Sequence, residues 1–142
     1  MKISARNILS GTVSSVVTGA VNSEVDLVLS GGEKITAVIT NGSVASLGLA
    51  AGKAACAIVK ANEVIIGTDL AQAKLSARNV LHGTVEKVED GAVNSEVTIA
   101  LPGGAIIVAS ITKHSVENLG LAAGMPASAI VKSSNVLIGV KE

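Results

Sequence analysis

Five hydrogen-bond donors recur at matching places in two halves of the chain, and such a set could bind a tetrahedral oxyanion. Residues 2–70 and 74–142 align without a gap and are identical at 40 of 69 positions, so the chain is a tandem duplication. Hydroxyl, guanidinium and ammonium groups make strong hydrogen bonds to an oxyanion. The shared donors are Ser4, Arg6, Thr40, Ser43 and Lys60 in the first half, and Ser76, Arg78, Thr112, Ser115 and Lys132 in the second.

Positive charge is kept in register between the halves, whereas negative charge is not. Of eleven basic residues six pair in register, but of eleven acidic residues only Glu24 and Glu96 do. A dianion site needs many donors and few carboxylates, because a nearby carboxylate repels the ligand. The asymmetry therefore indicates a repeated anion site, built from donors without acceptor-only partners.

Each donor also has an ordinary structural interpretation. Ser43 could serve only as the N-cap of a helical turn, and Ser4 could simply begin a strand. Arg6 and Lys60 could be ordinary charges at strand ends. Only the joint recurrence of the set favours ligand binding.

Catalysis has little support in the sequence. A general base shared by both halves would have to be a His or a carboxylate, and only Glu24/Glu96 qualifies. The alternating pattern around this pair favours a solvated or salt-bridged strand residue. Cys56, His82 and His114 have no counterpart in the other half. We therefore predict that the protein is not an enzyme, has no cofactor and ligates no metal cation directly.

The composition indicates a small-aliphatic protein with more apolar surface than two minimal units can bury. Apolar residues make up 49% of the 142, yet there is no Phe, Tyr or Trp. We expect a homo-oligomer that buries the excess. Zero net charge and the lack of aromatics argue against a nucleic-acid partner. No apolar run reaches a membrane span, and Lys2 and Arg6 interrupt any signal peptide, so we expect a cytoplasmic protein without a membrane partner.

The hydropathy pattern predicts an all-β fold of two tandem OB-like five-stranded antiparallel barrels, each with one short helical turn. Gly31-Gly32 and Gly103-Gly104 are predicted hairpin turns. We place domain 1 at residues 1–67, a short linker at 68–73 and domain 2 at 74–142. The predicted strands are 7–17, 23–29, 34–40, 54–60 and 63–66, then 80–88, 96–101, 106–112, 127–132 and 135–138, and the helical turns are 43–48 and 115–120.

Several motifs resemble one known family. The Ser-Ala-Arg-Asn opening, the Gly-Ala-Val-Asn-Ser-Glu-Val segment, the Ile-Thr…Ser-Val…Leu-Gly-Leu block and the Ile-Val-Lys close are similar to the Mop (TOBE-related) domain of molybdate-binding proteins. Two such copies resemble the tandem, di-Mop molbindins. The resemblance implies OB-like barrels that assemble as a trimer of two-domain chains, with molybdate or tungstate bound between subunits.

The resemblance also implies two kinds of oxyanion site. The first uses the shared donors and the residue after the lysine, which is Ala61 in one half and Ser133 in the other. Ala61 offers only a backbone N–H, so the two sites could differ in affinity. The second kind lies near the threefold axis in the family. We place it at two loops that could also merely connect strands, with Gly19, Asn22 and Ser23 in one and Gly91, Asn94 and Ser95 in the other.

The expected function is therefore binding of an oxyanion for molybdenum storage and homeostasis, with no chemical step. Two alternatives stay open. The chain could be an oxyanion sensor or regulatory module that works with a partner transporter or regulator, or a structural oligomerisation scaffold that binds no ligand.

Overall fold

The computed structural model describes residues 1–141, which form ten strands, two short α-helices and two 3-10 helices. The predicted all-β fold, with two five-stranded antiparallel sheets and few helices, is confirmed. The first repeat contains β1 (Asn7–Thr18), β2 (Asn22–Leu29), β3 (Lys34–Thr40), α1 (Asn41–Leu47), β4 (Ala54–Val59), a 3-10 helix (Ala61–Glu63) and β5 (Ile65–Gly67). The second contains β6 (Asn79–Asp90), β7 (Asn94–Ala100), β8 (Ile106–Thr112), α2 (Lys113–Leu119), β9 (Pro126–Val131), a 3-10 helix (Ser133–Asn135) and β10 (Leu137–Gly139).

Hairpins join β2 to β3 and β7 to β8, at the predicted double-glycine turns. The second glycine of each turn has a positive φ, +94° at Gly32 and +100° at Gly104, which other residues rarely adopt. The first glycines are needed for another reason. A Cβ built on Gly31 would lie 2.5 Å from the carbonyl oxygen of Gly103, and the reverse is also true, so the two hairpins touch through their backbones.

The fifth strand of each repeat lies in the sheet of the other repeat. The strand order is β10-β4-β1-β2-β3 in one sheet and β5-β9-β6-β7-β8 in the other. Leu137 of β10 pairs with Ile58, and Ile65 of β5 pairs with Ile130. The expectation that each repeat supplies all five of its own strands is therefore wrong. The division of the chain at residues 68–73 stays a prediction.

One hydrophobic core runs through both repeats. Inward-facing residues of β2 and β7, such as Leu27 and Ile99, are fully buried and belong to the same cluster of aliphatic side chains. Burying a side chain of this size stabilises the fold by about 1.5–3 kcal/mol. The exchanged strands and the shared core therefore connect the two repeats.

The last residue of the opening motif joins the two repeats. The Asn79 side chain donates to the Thr36 carbonyl and accepts from the Thr36 N–H, both at 2.8 Å. Asn7 does the same at Val108, at 2.9 and 2.8 Å. β3 and β8 are edge strands, so no neighbouring strand bonds their outer backbone groups. The side-chain amide of each asparagine makes these hydrogen bonds instead. The asparagines fix the preceding Ser-Ala-Arg segment over the opposite sheet.

Among residues 1–141, no helix is long and apolar enough to cross a membrane.

Candidate functional site

Four candidate residues of the first repeat line one open cleft of about 460 Å³, here called cleft 1. Ser4 and Arg6 belong to the irregular segment before β1, and Lys60 and Ala61 connect β4 to the first 3-10 helix. That helix packs against β8, so Ser110 of the second repeat also lines the cleft. The structure therefore brings together the opening motif and the fourth-strand lysine, as the recurrence of these residues suggested.

The equivalent residues of the second repeat line cleft 2, of about 370 Å³. Ser76 and Arg78 lie on one side, and Lys132 and Ser133 lie where β9 meets the second 3-10 helix. Ser134 adds a further hydroxyl to this cleft, where cleft 1 has Asn62. Within residues 1–141, neither Lys60 nor Lys132 makes an ion pair, so both ammonium groups are available to an anion.

Two other candidate pairs lie outside both clefts. Thr40 and Ser43 occupy the corner between β3 and α1, where the Thr40 hydroxyl donates to the Ser43 hydroxyl at 2.9 Å. Thr112 and Ser115 repeat this arrangement between β8 and α2. Within one chain, the Thr40–Ser43 and Thr112–Ser115 corners therefore lie apart from the arginines and lysines that line the clefts.

The predicted helix caps need a correction. The N-cap of α1 is Thr40 and not Ser43, because the Thr40 hydroxyl oxygen accepts the Ser43 N–H at 3.1 Å. Thr112 caps α2 in the same way, in place of Ser115. The sequence prediction failed because a hydroxyl stands at both positions and either one could cap a turn. The predicted C-terminal glycines, Gly48 and Gly120, are confirmed in the left-handed conformation.

A carboxylate accompanies each arginine, contrary to the expectation of donors without acceptor-only partners. Arg78 Nη1 donates to Glu24 Oε1 at 2.9 Å, and Arg6 Nη1 donates to Glu96 Oε2. Each pair crosses from one repeat to the other. The only acidic residues kept in register are thus the partners of the arginines, and the prediction that they are salt-bridged strand residues is confirmed.

The loops proposed for a second kind of site are tight turns. Gly19 N–H donates to the Asn22 carbonyl and Gly91 N–H to the Asn94 carbonyl, both at 2.9 Å. The buried Ser23 hydroxyl donates to the Asn41 side chain. Ser95, equally buried, donates to Asp90 at 2.8 Å. Both serine hydroxyls already have partners inside the chain, whereas the side chains of Asn22 and Asn94 are exposed.

Among residues 1–141, the first repeat alone has a half-buried carboxylate, Asp26, held by two hydroxyls and a lysine. Asp26 accepts from Thr36 at 2.7 Å and from Ser15 at 3.3 Å, and it pairs with Lys34 at 3.1 Å. Burial raises the pKa of Asp26, but the hydrogen bonds from Thr36, Lys34 and Ser15 and the Lys34 charge outweigh it, so the pKa is lowered below its usual value. The corresponding residue in the second repeat is Thr98. This cluster lines neither cleft.

In the part of the chain that the structure describes, no group of three or more His, Cys, Asp or Glu side chains could bind a metal ion. The clefts instead present cationic and hydroxyl donors, which suit an anion. The sequence reasoning missed Ser110, because it comes from the other repeat. It also missed the structural role of Asn7 and Asn79, although their place in the recurring motif was a signal.

Fold and clefts together define a duplicated β protein with two related clefts, each lined by an arginine, a lysine and serine hydroxyls. Residues 3–66 and 75–138 each match the TOBE domain model, and the chain therefore belongs to the TOBE-domain family. The resemblance seen in the motifs is confirmed.

A solved structure matches the whole chain. It is the cytoplasmic molybdate-binding protein ModG with molybdate bound, which is 55% identical and superposes with a TM-score of 0.97 over 99% of this chain and 100% of that chain.

Two longer curated relatives also match the chain. The molybdenum transport protein ModE of Herbaspirillum seropedicae is 41% identical over 142 residues, which are 100% of this chain and 53% of that protein. The molybdenum-pterin-binding protein MopA of Rhodobacter capsulatus is 42% identical over 140 residues, or 99% of this chain and 53% of that protein. The chain spans about half the length of these curated relatives.

Proposed function

We propose that this protein binds molybdate or tungstate in the cytoplasm for molybdenum storage and homeostasis, without catalysing a reaction. The observation that carries the proposal is the convergence of the recurring serine, arginine and lysine in one cleft per repeat. Similarity along the whole chain to ModG, a cytoplasmic molybdate-binding protein, supports both the ligand and the location.

The donors in each cleft suit a tetrahedral dianion. In cleft 1 the ligand accepts hydrogen bonds from the Arg6 guanidinium, the Lys60 ammonium, the Ser4 hydroxyl and the Ala61 N–H. In cleft 2 it accepts them from the equivalent groups and from the Ser133 hydroxyl. Hydrogen bonds to charged groups are each worth about 1.5–3 kcal/mol, and more where water is excluded.

A neighbouring subunit completes each cleft in this proposal. Exposed aliphatic side chains flank the cationic groups: Ile3 and Leu137 border cleft 1, and Ile65 and Leu75 border cleft 2. Leu137 is 62% exposed and Ile65 is 54% exposed, which favours burial against another chain. The corners Thr40–Ser43 and Thr112–Ser115 then reach the ligand from the neighbour, in a homotrimer.

A second kind of oxyanion site at the Gly19–Ser23 and Gly91–Ser95 loops remains part of the proposal. The exposed side chains of Asn22 and Asn94 and the repetition of the turn support it. Ser23 and Ser95 would contribute by supporting the turn, since their hydroxyls bond within the chain.

A sensor module is the second candidate, because the chain also matches about half the length of a ModE protein that is a transcriptional regulator. The two functions predict different phenotypes. Loss of a storage protein lowers the molybdenum that cells retain after transfer to molybdenum-free medium. Loss of a sensor instead changes the molybdate-dependent expression of uptake genes and leaves the retained pool unchanged.

Isothermal titration calorimetry on the whole chain tests the binding itself. We expect molybdate and tungstate to bind the wild type, and Arg78→Ala with Lys132→Ala to remove the cleft 2 sites while leaving the oligomer intact. Lys34→Ala, which removes a positive charge from the pair with Asp26 and lines neither cleft, is the control and should bind normally. Absence of binding by the wild type would leave only the scaffold and contradict the proposal.

A further inference from the structure

The two arginine–glutamate pairs connect each cleft to the opposite repeat. Arg6 of the first repeat pairs with Glu96 on β7, and Arg78 of the second pairs with Glu24 on β2. The motif residues of one cleft are thus bonded to a strand that belongs to the other repeat. The recurrence of both pairs shows that the contact is built into the duplicated unit.

The two partners differ in how firmly they are placed. The arginines belong to residues 1–6 and 74–78, which have no helix or strand. The glutamates lie in β2 and β7, which have a hydrogen-bonded strand on both sides, and they are next to the fully buried Val25 and Val97. A long arginine side chain on an irregular segment loses much rotamer freedom when it binds a ligand. A carboxylate fixed on a strand restricts the arginine before the ligand binds, so that binding costs less conformational entropy.

Each guanidinium keeps donors for a ligand. Residues 1–141 engage only Nη1 of Arg6 and of Arg78, which leaves the Nε and Nη2 hydrogens available. A guanidinium can therefore bond a carboxylate on one edge and an oxyanion on another. Repulsion between the carboxylate and the ligand is weakened, because the guanidinium lies against the carboxylate and salt solution screens the half-exposed pair.

We propose that Glu24 and Glu96 are positioning residues for oxyanion binding, and that they act crosswise: Glu24 orients Arg78 in cleft 2, and Glu96 orients Arg6 in cleft 1. The inference rests on the proposed function of the clefts. It assigns a role to the only acidic residues that the two repeats share.

Single-cleft backgrounds make the crosswise action measurable. Lys60→Ala disables cleft 1, so the cleft binding that calorimetry with molybdate then detects comes from cleft 2, and Lys132→Ala gives the reverse. Any binding at the Gly19–Ser23 and Gly91–Ser95 loops is common to both backgrounds and cancels in their comparison. In the Lys60→Ala background, Glu24→Ala should weaken binding by about 2- to 12-fold, the range expected when one long side chain must be ordered on binding. Glu24→Gln, whose amide oxygen still accepts from Arg78, should restore most of the affinity. In the Lys132→Ala background the dominant effect should move to Glu96.

Glu86→Ala is the matched control, since Glu86 is an exposed residue at the irregularity of β6 and should leave binding unchanged. Crossed weakening by Ala with rescue by Gln, at unchanged unfolding midpoint, supports the inference. Tighter binding by either variant shows that the carboxylate competes with the ligand and overturns it. Equal effects of Glu24→Ala in both backgrounds, or none in either, also overturn it. If the wild type binds no oxyanion, the proposed function fails first and this inference with it.

Discussion

Cleft 1 and cleft 2 share their arginine, lysine and opening serine but differ in what surrounds them. The residue after the lysine is Ala61 in cleft 1 and Ser133 in cleft 2, and cleft 2 also contains Ser134, whereas cleft 1 contains Ser110. The shared groups include both cations, and the differing groups set the number of hydroxyls. Under the proposed function, we therefore expect the same binding chemistry in both clefts and different affinities.

The repeats differ more in their structural contacts than in their clefts. Glu33 of the first hairpin accepts the Gly103 N–H of the second at 3.0 Å, but the equivalent residue, Ala105, cannot return the bond. The Asp26 cluster likewise exists only in the first repeat. The two repeats therefore contribute unequally to the stability of one shared fold.

The largest predicted effect concerns the buried asparagines. Asn79→Ala leaves both polar groups of the buried Thr36 backbone without partners, at about 1–3 kcal/mol each, so we expect a loss of about 2–6 kcal/mol in unfolding free energy. Asn7→Ala should cost less, because Val108 is only half-buried. Urea unfolding at matched protein concentration measures both. Small and equal losses of unfolding free energy in both variants would show that the asparagine hydrogen bonds to β3 and β8 do not stabilise the contact between the repeats.

The next effect concerns acid stability, and it comes from the first repeat. The folded-state pKa of Asp26 is lowered, so its contribution is fully present above the ordinary pKa of about 3.8 and is lost as the pH falls through the lowered value. Asp26→Asn should lower the free energy of unfolding by about 1–2 kcal/mol at pH 7. The variant should also lose less stability than the wild type as the pH falls, because it lacks the carboxylate that becomes protonated. Thermal unfolding from pH 7 to pH 2 measures this. If the stability of the variant falls with pH as steeply as that of the wild type, Asp26 does not contribute to acid stability.

The smallest effect is the exchange of hydroxyls between clefts. Ser133→Ala should weaken molybdate binding in cleft 2 by about 5-fold, the value of one hydrogen bond of about 1 kcal/mol. Ala61→Ser should strengthen cleft 1 by a similar factor. Calorimetry in the Lys60→Ala and Lys132→Ala backgrounds separates the two. If neither change alters affinity, the difference between the clefts lies elsewhere.

Local features of the fold could be predicted from the sequence because neighbouring residues specify them. The alternating pattern of β2, the hairpin glycines Gly32 and Gly104, and the helix-ending Gly48 each depend on a few residues in succession. The strand boundaries differ by only a few residues from those observed.

The exchange of the fifth strands could not be predicted, because the duplication makes both pairings equivalent in sequence. Ile66-Gly67 and Ile138-Gly139 have the same pattern, so either could pair with β4 or with β9. The connection between the repeats includes Asp69 at a positive φ of 56°. Such a conformation of a non-glycine residue is not visible in a hydropathy pattern.

The recurring residues predicted part of each cleft. Recurrence identified Arg6 and Lys60, which the fold brings together, but recurrence alone does not say which chain or repeat a partner comes from. Glu96 and Ser110 reach cleft 1 across the repeat boundary, while Thr40 and Ser43 lie outside it.

Anomalous diffraction at the molybdenum edge, from crystals of the whole chain grown with molybdate, locates the bound oxyanion directly. We expect a molybdenum peak in both clefts, beside Arg6 and Lys60 and beside Arg78 and Lys132, with the Thr40–Ser43 and Thr112–Ser115 corners of neighbouring subunits against the ligand. Ordered molybdenum elsewhere, with both clefts free of it, would show that the clefts are not the binding sites.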